Sequence, residues 1–165
     1  DSATDLRSDA KKNAVFDGLT GNGANVETFH RTIYRVHQRV AKQFQVGRVF
    51  LAGDAAHLNN PLGGFGMNSG IHDAFNLCEK LVQVLQSGAD PALLERYDRQ
   101  RRTVTHDFTQ QQTVQNMELM RGGQSAAHKL QRDRMAALSN DAEQRRAYLL
   151  RQSMITSLAD ADAIA

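Results

Sequence analysis

The sequence predicts an α/β fold, mostly helical with a few strands, and three stretches carry that prediction. Val49, Phe50, Leu51 and Ala52 form a short apolar run, β-branched at its start, which suits a strand buried on both faces. A loop holding Gly63, Gly64 and Gly66 follows and opens directly into a helix over Met67 to Leu85. There Ile71, Ala74, Phe75, Cys78, Leu81, Val82 and Leu85 recur at spacings of three and four, giving one broad apolar stripe. Beyond that helix, capping signals and helical periods follow one another to the end of the chain.

Each element has its own warrant. Asp9 to Leu19 reads as a short helix with Ala14, Val15 and Leu19 on its inner side and Gly18 or Gly21 ending it. Gly21 to Val26 matches Gly-x-Gly-x-x-Gly only loosely. Its third glycine is a valine and it follows a helix rather than a strand, so it reads as a surface loop. Thr28 to His37 mixes β-branched, aromatic and basic residues and reads as a strand, with Ile33 and Tyr34 on opposite faces. After the central helix, Gly88 sits where a C-terminal cap belongs. Asp90-Pro91 announces the next helix, as N-cap carboxylate and first-turn proline. Leu93, Leu94, Tyr97, Val104 and Phe108 line it to about Met120, before Gly122-Gly123. Ser125 caps a third helix holding Leu130 and Leu138. Asn140 with Glu143 starts a fourth, in a capping-box pattern that runs to about Met154. Ala159 to Ala165 reads as a frayed end. There are no internal repeats and no low-complexity stretch.

Composition narrows the function classes. A chain of 165 residues can bury one core. With 23% charged and 41% hydrophobic residues it has the make-up of a soluble globular protein. A net charge of +2, with arginines scattered along the helices, argues against nucleic acid as a partner. No apolar run is long enough for a transmembrane segment, and the N-terminus is polar, unlike a secretory signal. Cys78 is the one cysteine, which excludes an intramolecular disulfide and fits a reducing, cytoplasmic setting. No Cys/His cluster has metal-ligand spacing.

Chemistry concentrates between Gly53 and Asn68. Gly53-Asp54 places a carboxylate at the carboxyl end of a strand, the edge where open α/β sheets collect ligands. Asp54 can accept hydroxyl protons there, or it can cap a turn. Gly63, Gly64, Gly66, Met67 and Asn68 form a nest of backbone amides at a helix start, suited to electron-rich oxygens. Its plain alternative is a glycine-rich helix entry. Pro61 stiffens the loop between them. His57 can serve as a base or as a packing residue, His72 and Asp73 read as capping or packing residues, Cys78 as a buried small hydrophobe, and the Arg101-Arg102 pair as salt-bridge partners.

These motifs together resemble the flavin-contacting segment of FAD-dependent aromatic hydroxylases, the single-component flavoprotein monooxygenases of the para-hydroxybenzoate hydroxylase type. The resemblance rests on Gly47-Arg-Val-Phe-Leu-Ala-Gly-Asp-Ala-Ala-His57, then Pro61-Leu-Gly-Gly-Phe-Gly-Met-Asn68, then Asp73-Ala-Phe-Asn-Leu77, and is dense from about Tyr34 to Arg102. It implies the C-terminal portion of a Rossmann-like FAD-binding fold, whose strands complete sheets of a longer parent enzyme. Residues 1–46 would then end the substrate-domain sheet and cross over at Arg39-Val40-Ala41. Residues 47–124 would form the C-terminal part of the FAD-binding domain, and 125–165 the C-terminal helices. The unit that binds the ADP half of FAD would lie outside this sequence, so the isolated fragment is expected to be inactive and to bind FAD weakly or not at all.

By the same resemblance, Gly53 and Asp54 hold the ribityl and pyrophosphate region. Pro61 lies beside the reactive edge of the isoalloxazine. In the nest of Gly63, Gly64, Gly66, Met67 and Asn68, the backbone of Met67 and Asn68 meets the N1 and C2 carbonyl edge, where reduced flavin carries negative charge. The parent would use NAD(P)H and O2 to hydroxylate a small aromatic, phenol-like substrate through a flavin C4a-hydroperoxide. Its catalytic base is not identifiable here, and assembly as a homo-oligomer stays open. Three departures mark a subfamily: Asn60 and Thr103 where prolines are common, and Glu79 where a tryptophan is. Related FAD enzymes such as halogenases and isoprenoid reductases share the Gly-Asp-Ala-Ala stretch. A non-catalytic helical interaction module is the alternative from a different class.

Overall fold

The computed structural model describes residues 3–21, 26–121 and 126–165. It divides into two units, Asp1–Val36 and His37–Ala165. In the first, α1 (Ala3–Leu6) precedes α2 (Asp9–Thr20). The Ser8 hydroxyl caps α2 by accepting the Lys11 N–H at 3.1 Å, and Gly21 ends it in the left-handed region at φ 72°. The helix stands where the sequence puts it, but no residue of α2 is buried, Val15 and Leu19 included. Thr28 to His37 forms no strand. A strand takes its backbone bonds from a neighbour, and no described residue pairs with this segment. Arg31 ties it locally instead, bonding the Asp9 carboxylate and, at 3.1 Å, the Arg7 carbonyl. Hydrogen bonding from Arg31, then its charge, holds the Asp9 carboxyl below its ordinary value. Asn22 to Asn25 of the glycine-rich loop, Gly122-Gly123 and the Ser125 cap lie outside the described residues.

In the second unit the strands are two residues each. β1 (Arg39–Val40), β2 (Gln45–Val46) and β3 (Val49–Phe50) precede a 3-10 turn (Gly53–Ala55) and β4 (His57–Leu58). β2 and β3 form a hairpin around Gly47-Arg48, and β1 pairs antiparallel with β4. The run Val49 to Ala52 is therefore not a strand buried on both faces: Val49 is 66% exposed. Its hairpin has one partner strand and one packed side, on Phe44 and Tyr97, which with Ala56 form the core of this region. The Tyr97 hydroxyl donates to the Leu51 carbonyl at 2.6 Å and pins the strand end to a helix.

α3 (Phe65–Ser87) extends the expected central helix by two residues at each end, between left-handed Gly64 and Gly88. Its orientation reverses the simple expectation. Phe65, Ser69, Asp73 and Lys80 face inward, while Met67, Ile71, Phe75, Val82 and Leu85 are exposed, Phe75 by 68%. Cys78 lies on this outer face and is exposed rather than buried. No described residue supplies a covering element, so the polar face carries the internal contacts.

α4 (Leu93–Val104) starts two residues after Pro91. Its N-cap is Ala92 rather than Asp90 and no side chain caps it; Asp90 instead accepts the Ala92 N–H at 2.9 Å in the turn before the helix. A π-turn over Thr105–Gln110 then leads into α5 (Gln111–Arg121). α6 (Ala126–Asn140) precedes α7 (Ala142–Gln152). Asp141 caps α7 rather than Asn140, and Gln144 answers it rather than Glu143. Its N–H and its side-chain amide both donate to the Asp141 carboxylate, at 2.9 and 2.7 Å. α8 (Ile155–Ala163) closes the chain. The final residues are not frayed: Arg96 and Gln100 both donate to the Ile164 carbonyl, at 2.7 and 3.0 Å, and Arg99 donates to that of Ala165.

Candidate functional site

Asp73 is the hub of the site. It sits on the third turn of α3, fully buried. One carboxylate oxygen accepts Arg101 Nε at 2.7 Å. The other accepts His57 Nε2 at 2.8 Å and the Gly53 N–H at 3.0 Å. Burial pushes this carboxyl up. The His57 hydrogen bond and the Arg101 guanidinium outweigh burial and hold it below its ordinary value. Such a carboxylate is acceptor-only, so His57 Nε2 is the donor. One side chain thereby joins α3, α4, β4 and the turn that carries Asp54. The sequence offers His57, Asp73 and Arg101 as separate packing and salt-bridge residues; only the fold brings them together.

Gly53 adopts φ 59°, and a Cβ on Gly70 would lie 3.2 Å from its Cα. The turn thus presses directly on the α3 backbone, which two glycines permit. Asp54, next in the turn, is exposed, and its side chain bonds to no described residue. It caps nothing, so its lone pairs are open to a ligand.

The loop from Asn59 to Gly64 is held from beneath. Asn60 is buried. Its amide nitrogen donates to the Gln38 side chain and to the Thr113 carbonyl, at 3.0 and 2.9 Å, and its oxygen accepts the Leu62 N–H at 3.1 Å. Gln38 in turn donates to Gln110 and to the Thr113 hydroxyl. Asn116 Nδ2 donates to the Leu62 carbonyl at 3.2 Å. Both backbone groups of Leu62 are thus fixed, and neighbouring Pro61 stands exposed. Asn60 replaces a proline's stiffness with four hydrogen bonds, a role its residue type alone did not reveal.

The glycines of the nest do different jobs. At Gly63, φ is 102° and a Cβ would sit 2.3 Å from the Phe65 ring and 2.8 Å from Asn116 Nδ2, so the chain itself requires glycine. Gly64 caps the helix at φ 70°, and its N–H already donates to the Pro61 carbonyl at 3.1 Å. Gly66 has no unusual backbone, and a Cβ there would meet only Asn59 Nδ2, at an ordinary 3.5 Å. The chain does not need glycine at that position; the missing side chain leaves the first turn open. The N–H groups of Phe65, Gly66 and Met67 lie ahead of the helical ladder, which Asn68 is the first to join. The Asn68 side chain folds back onto the Gly64 carbonyl at 3.0 Å.

Beside this turn lies a cavity of about 200 Å³ lined by Gly63, Phe65, Asn68, His72, Gln152 and Met154. Half-buried His72 is pushed below its ordinary value by burial, then by the charge of Arg101. A larger cavity, about 820 Å³ along Phe50, Leu81, Leu85 and Leu94, touches none of the candidate residues. Among the described residues no group of three or more His, Cys, Asp or Glu is placed to hold a metal ion, and no helix is long and apolar enough to cross a membrane.

The family described as FAD binding domain matches residues 2–112. Para-nitrophenol 4-monooxygenase of Pseudomonas sp. strain WBC-3 is 41% identical over 126 residues, which are 76% of this chain and 30% of that protein. The crystal structure of p-nitrophenol 4-monooxygenase from Pseudomonas putida DLL-E4 matches with a TM-score of 0.73 at 33% identity, over 92% of this chain and 40% of that one. An aromatic hydroxylase from angucycline biosynthesis, CabE, matches with a TM-score of 0.70 at 28% identity, over 87% of this chain and 29% of that one. The chain spans less than half the length of each of these proteins.

Proposed function

The chain belongs to the FAD binding domain family, and we propose that it supplies the ribityl- and isoalloxazine-contacting part of an FAD-dependent monooxygenase that hydroxylates an aromatic, phenol-like substrate. The observation that carries this is an unpaired carboxylate, Asp54, ahead of a helix start left uncovered at Gly66. These features suit a flavin. A sugar-alcohol chain offers hydroxyl donors to Asp54, and Gly53 lets the backbone come close. The amides of Phe65, Gly66 and Met67, with the positive end of the α3 dipole, favour the anionic edge of a reduced ring. Gly63, Gly64 and Asn68 shape that turn, and Pro61 walls the loop beside it.

When bound, FAD would accept a hydride from NAD(P)H and activate O2 for transfer of one oxygen atom to the ring. This chain's part is to bind, orient and exclude water. The Asp73 network holds the Gly53 amide, and so Asp54, in place, and Asn60 with Asn116 holds the loop at Leu62. The names of the matched relatives, monooxygenases and a hydroxylase, support oxygen insertion over halogenation or isoprenoid reduction. Within this reading, residues 1–46 lead from the substrate domain into the FAD domain, to which β1 and β2 are already paired, 47–124 belong to the FAD domain, and 125–165 are C-terminal helices. One free cysteine, Cys78, fits a cytoplasmic enzyme, and the reading accommodates a homo-oligomer.

The test is flavin retention. In the protein as expressed from its gene, Asp54→Ala lowers bound flavin after purification at least tenfold, read from the visible spectrum against protein concentration. Full yellow occupancy in the variant would overturn the role of Asp54. Absence of flavin from the unmutated protein would overturn the whole reading.

A further inference from the structure

We propose that the elbow between α7 and α8, Gln152 to Met154, positions the loop Leu62–Phe65 and thereby sets the amide nest. Met154 is the one non-glycine residue with positive φ among the described residues, at 63°, and it is 3% exposed. A bulky residue held there needs its surroundings to over-determine it. They do: the Met154 N–H donates to the Arg151 carbonyl, and its own carbonyl accepts the Leu158 N–H and the Ser157 hydroxyl.

Two routes run from this elbow to the same loop. The apolar one is a cluster of Met154, Phe65 and Phe108. The Phe65 and Phe108 rings meet edge to face at 5.1 Å, and the Arg151 guanidinium lies 5.4 Å from the Phe108 ring centre. Phe65 is the first residue of α3, and its ring covers Gly63. The polar route is a relay of side-chain amides. Gln152 donates to Gln112 at 3.1 Å, Gln112 to Asn116 at 3.1 Å, and Asn116 to the Leu62 carbonyl at 3.2 Å. The routes share no side chain, yet they meet on consecutive residues. The elbow itself lies beyond residues 2–112, the part that matches the family. A segment outside the matched domain thus holds the site's central loop. Met154 and Gln152 are positioning residues, acting on the nest through Phe65 and through Asn116. The inference rests on the flavin reading for what the nest receives, while the contacts stand by themselves.

Amide hydrogen exchange tests it without any ligand. The reporters are the bonded amides of Leu62, Gly64 and Asn68. Met154→Ala and Gln152→Ala are each expected to speed exchange at these amides at least tenfold, while Leu94→Ala, a truncation beside the larger cavity that touches neither route, leaves them within twofold. In the flavin-bound protein the same two variants weaken FAD binding about fivefold or more, and Leu94→Ala does not. Unchanged exchange at Leu62 and Gly64 in both elbow variants would overturn the inference, as would equal effects from Leu94→Ala. If the elbow variants speed exchange but added FAD never protects these amides in the unmutated protein, the flavin reading fails and the positioning role stands.

Discussion

Arg101→Met tests the buried network most directly. The substitution keeps an unbranched, space-filling chain in α4 and deletes the guanidinium that lies 2.7 Å from the Asp73 carboxylate. Both partners are buried, at 1% and 0% side-chain exposure, so water cannot replace the lost charge. Leaving one member of such a pair unpaired costs about 3–5 kcal/mol. Total stability of a domain is about 5–15 kcal/mol, so roughly a fifth or more of it is at stake. With a urea slope of about 2 kcal/mol per molar, the midpoint falls by roughly 2 M.

The pH dependence weakens as well. In the unmutated chain the Asp73 carboxyl lies below its unfolded value near 3.8. It therefore contributes stability that is present above that value and lost as pH falls through the folded pKa. Without Arg101, burial, the largest influence on Asp73, is opposed only by His57 and Gly53. The folded value then rises, and the stability that the variant loses on acidification shrinks. Urea unfolding followed by circular dichroism at several pH values from neutrality down through the unfolded Asp73 value near 3.8 measures both effects. A loss below about 1 kcal/mol, the size of a surface pair, together with an unchanged pH slope, would refute the buried-hub account.

Other outcomes follow from the same contacts. Gly63→Ala places a Cβ 2.3 Å from the Phe65 ring at φ 102° and is expected to cost several kcal/mol, on the order of 2–4, seen as a lower urea midpoint. Gly66→Ala is expected to leave that midpoint within error, because the chain has room for it, yet to weaken FAD binding at least tenfold in a fluorescence titration. Equal effects on folding and binding would remove the argument that this glycine serves a ligand. Asn60→Ala leaves the Leu62 N–H and the Thr113 carbonyl without their partner. It should cost about 2–3 kcal/mol by denaturant melt, with little change expected from the exposed control Glu79→Ala.

What could be read from the chain alone is what local periodicity and chain stereochemistry encode. Gly21 and Gly88 end helices because only glycine turns left-handed without strain. Asp90-Pro91 and Asn140 announce helices that begin within a few residues of them, although the N-caps are Ala92 and Asp141. The long helix, the glycine loop ahead of it and the isolated Asp54 carry their signals within a few residues, and all three stand in the fold. Spacing along a chain does not say what lies across from it. The stripe on α3 announces an apolar face without saying that this chain covers it, and the structure turns Ser69, Asp73 and Lys80 inward instead. Thr28 to His37 has strand composition but no ladder partner among the described residues, so composition alone does not make it a strand. Asp73, His57 and Arg101 stand 16 and 28 residues apart in sequence yet share one carboxylate. Gln38 meets Thr113 across 75 residues, and Gln152 meets Gln112 across 40. Such pairings arise only when the helices close on one another, because a buried polar group must find a partner wherever packing leaves it. Local chemistry therefore decided which residues stand as candidates for a site, and long-range closure decided which residues hold them still.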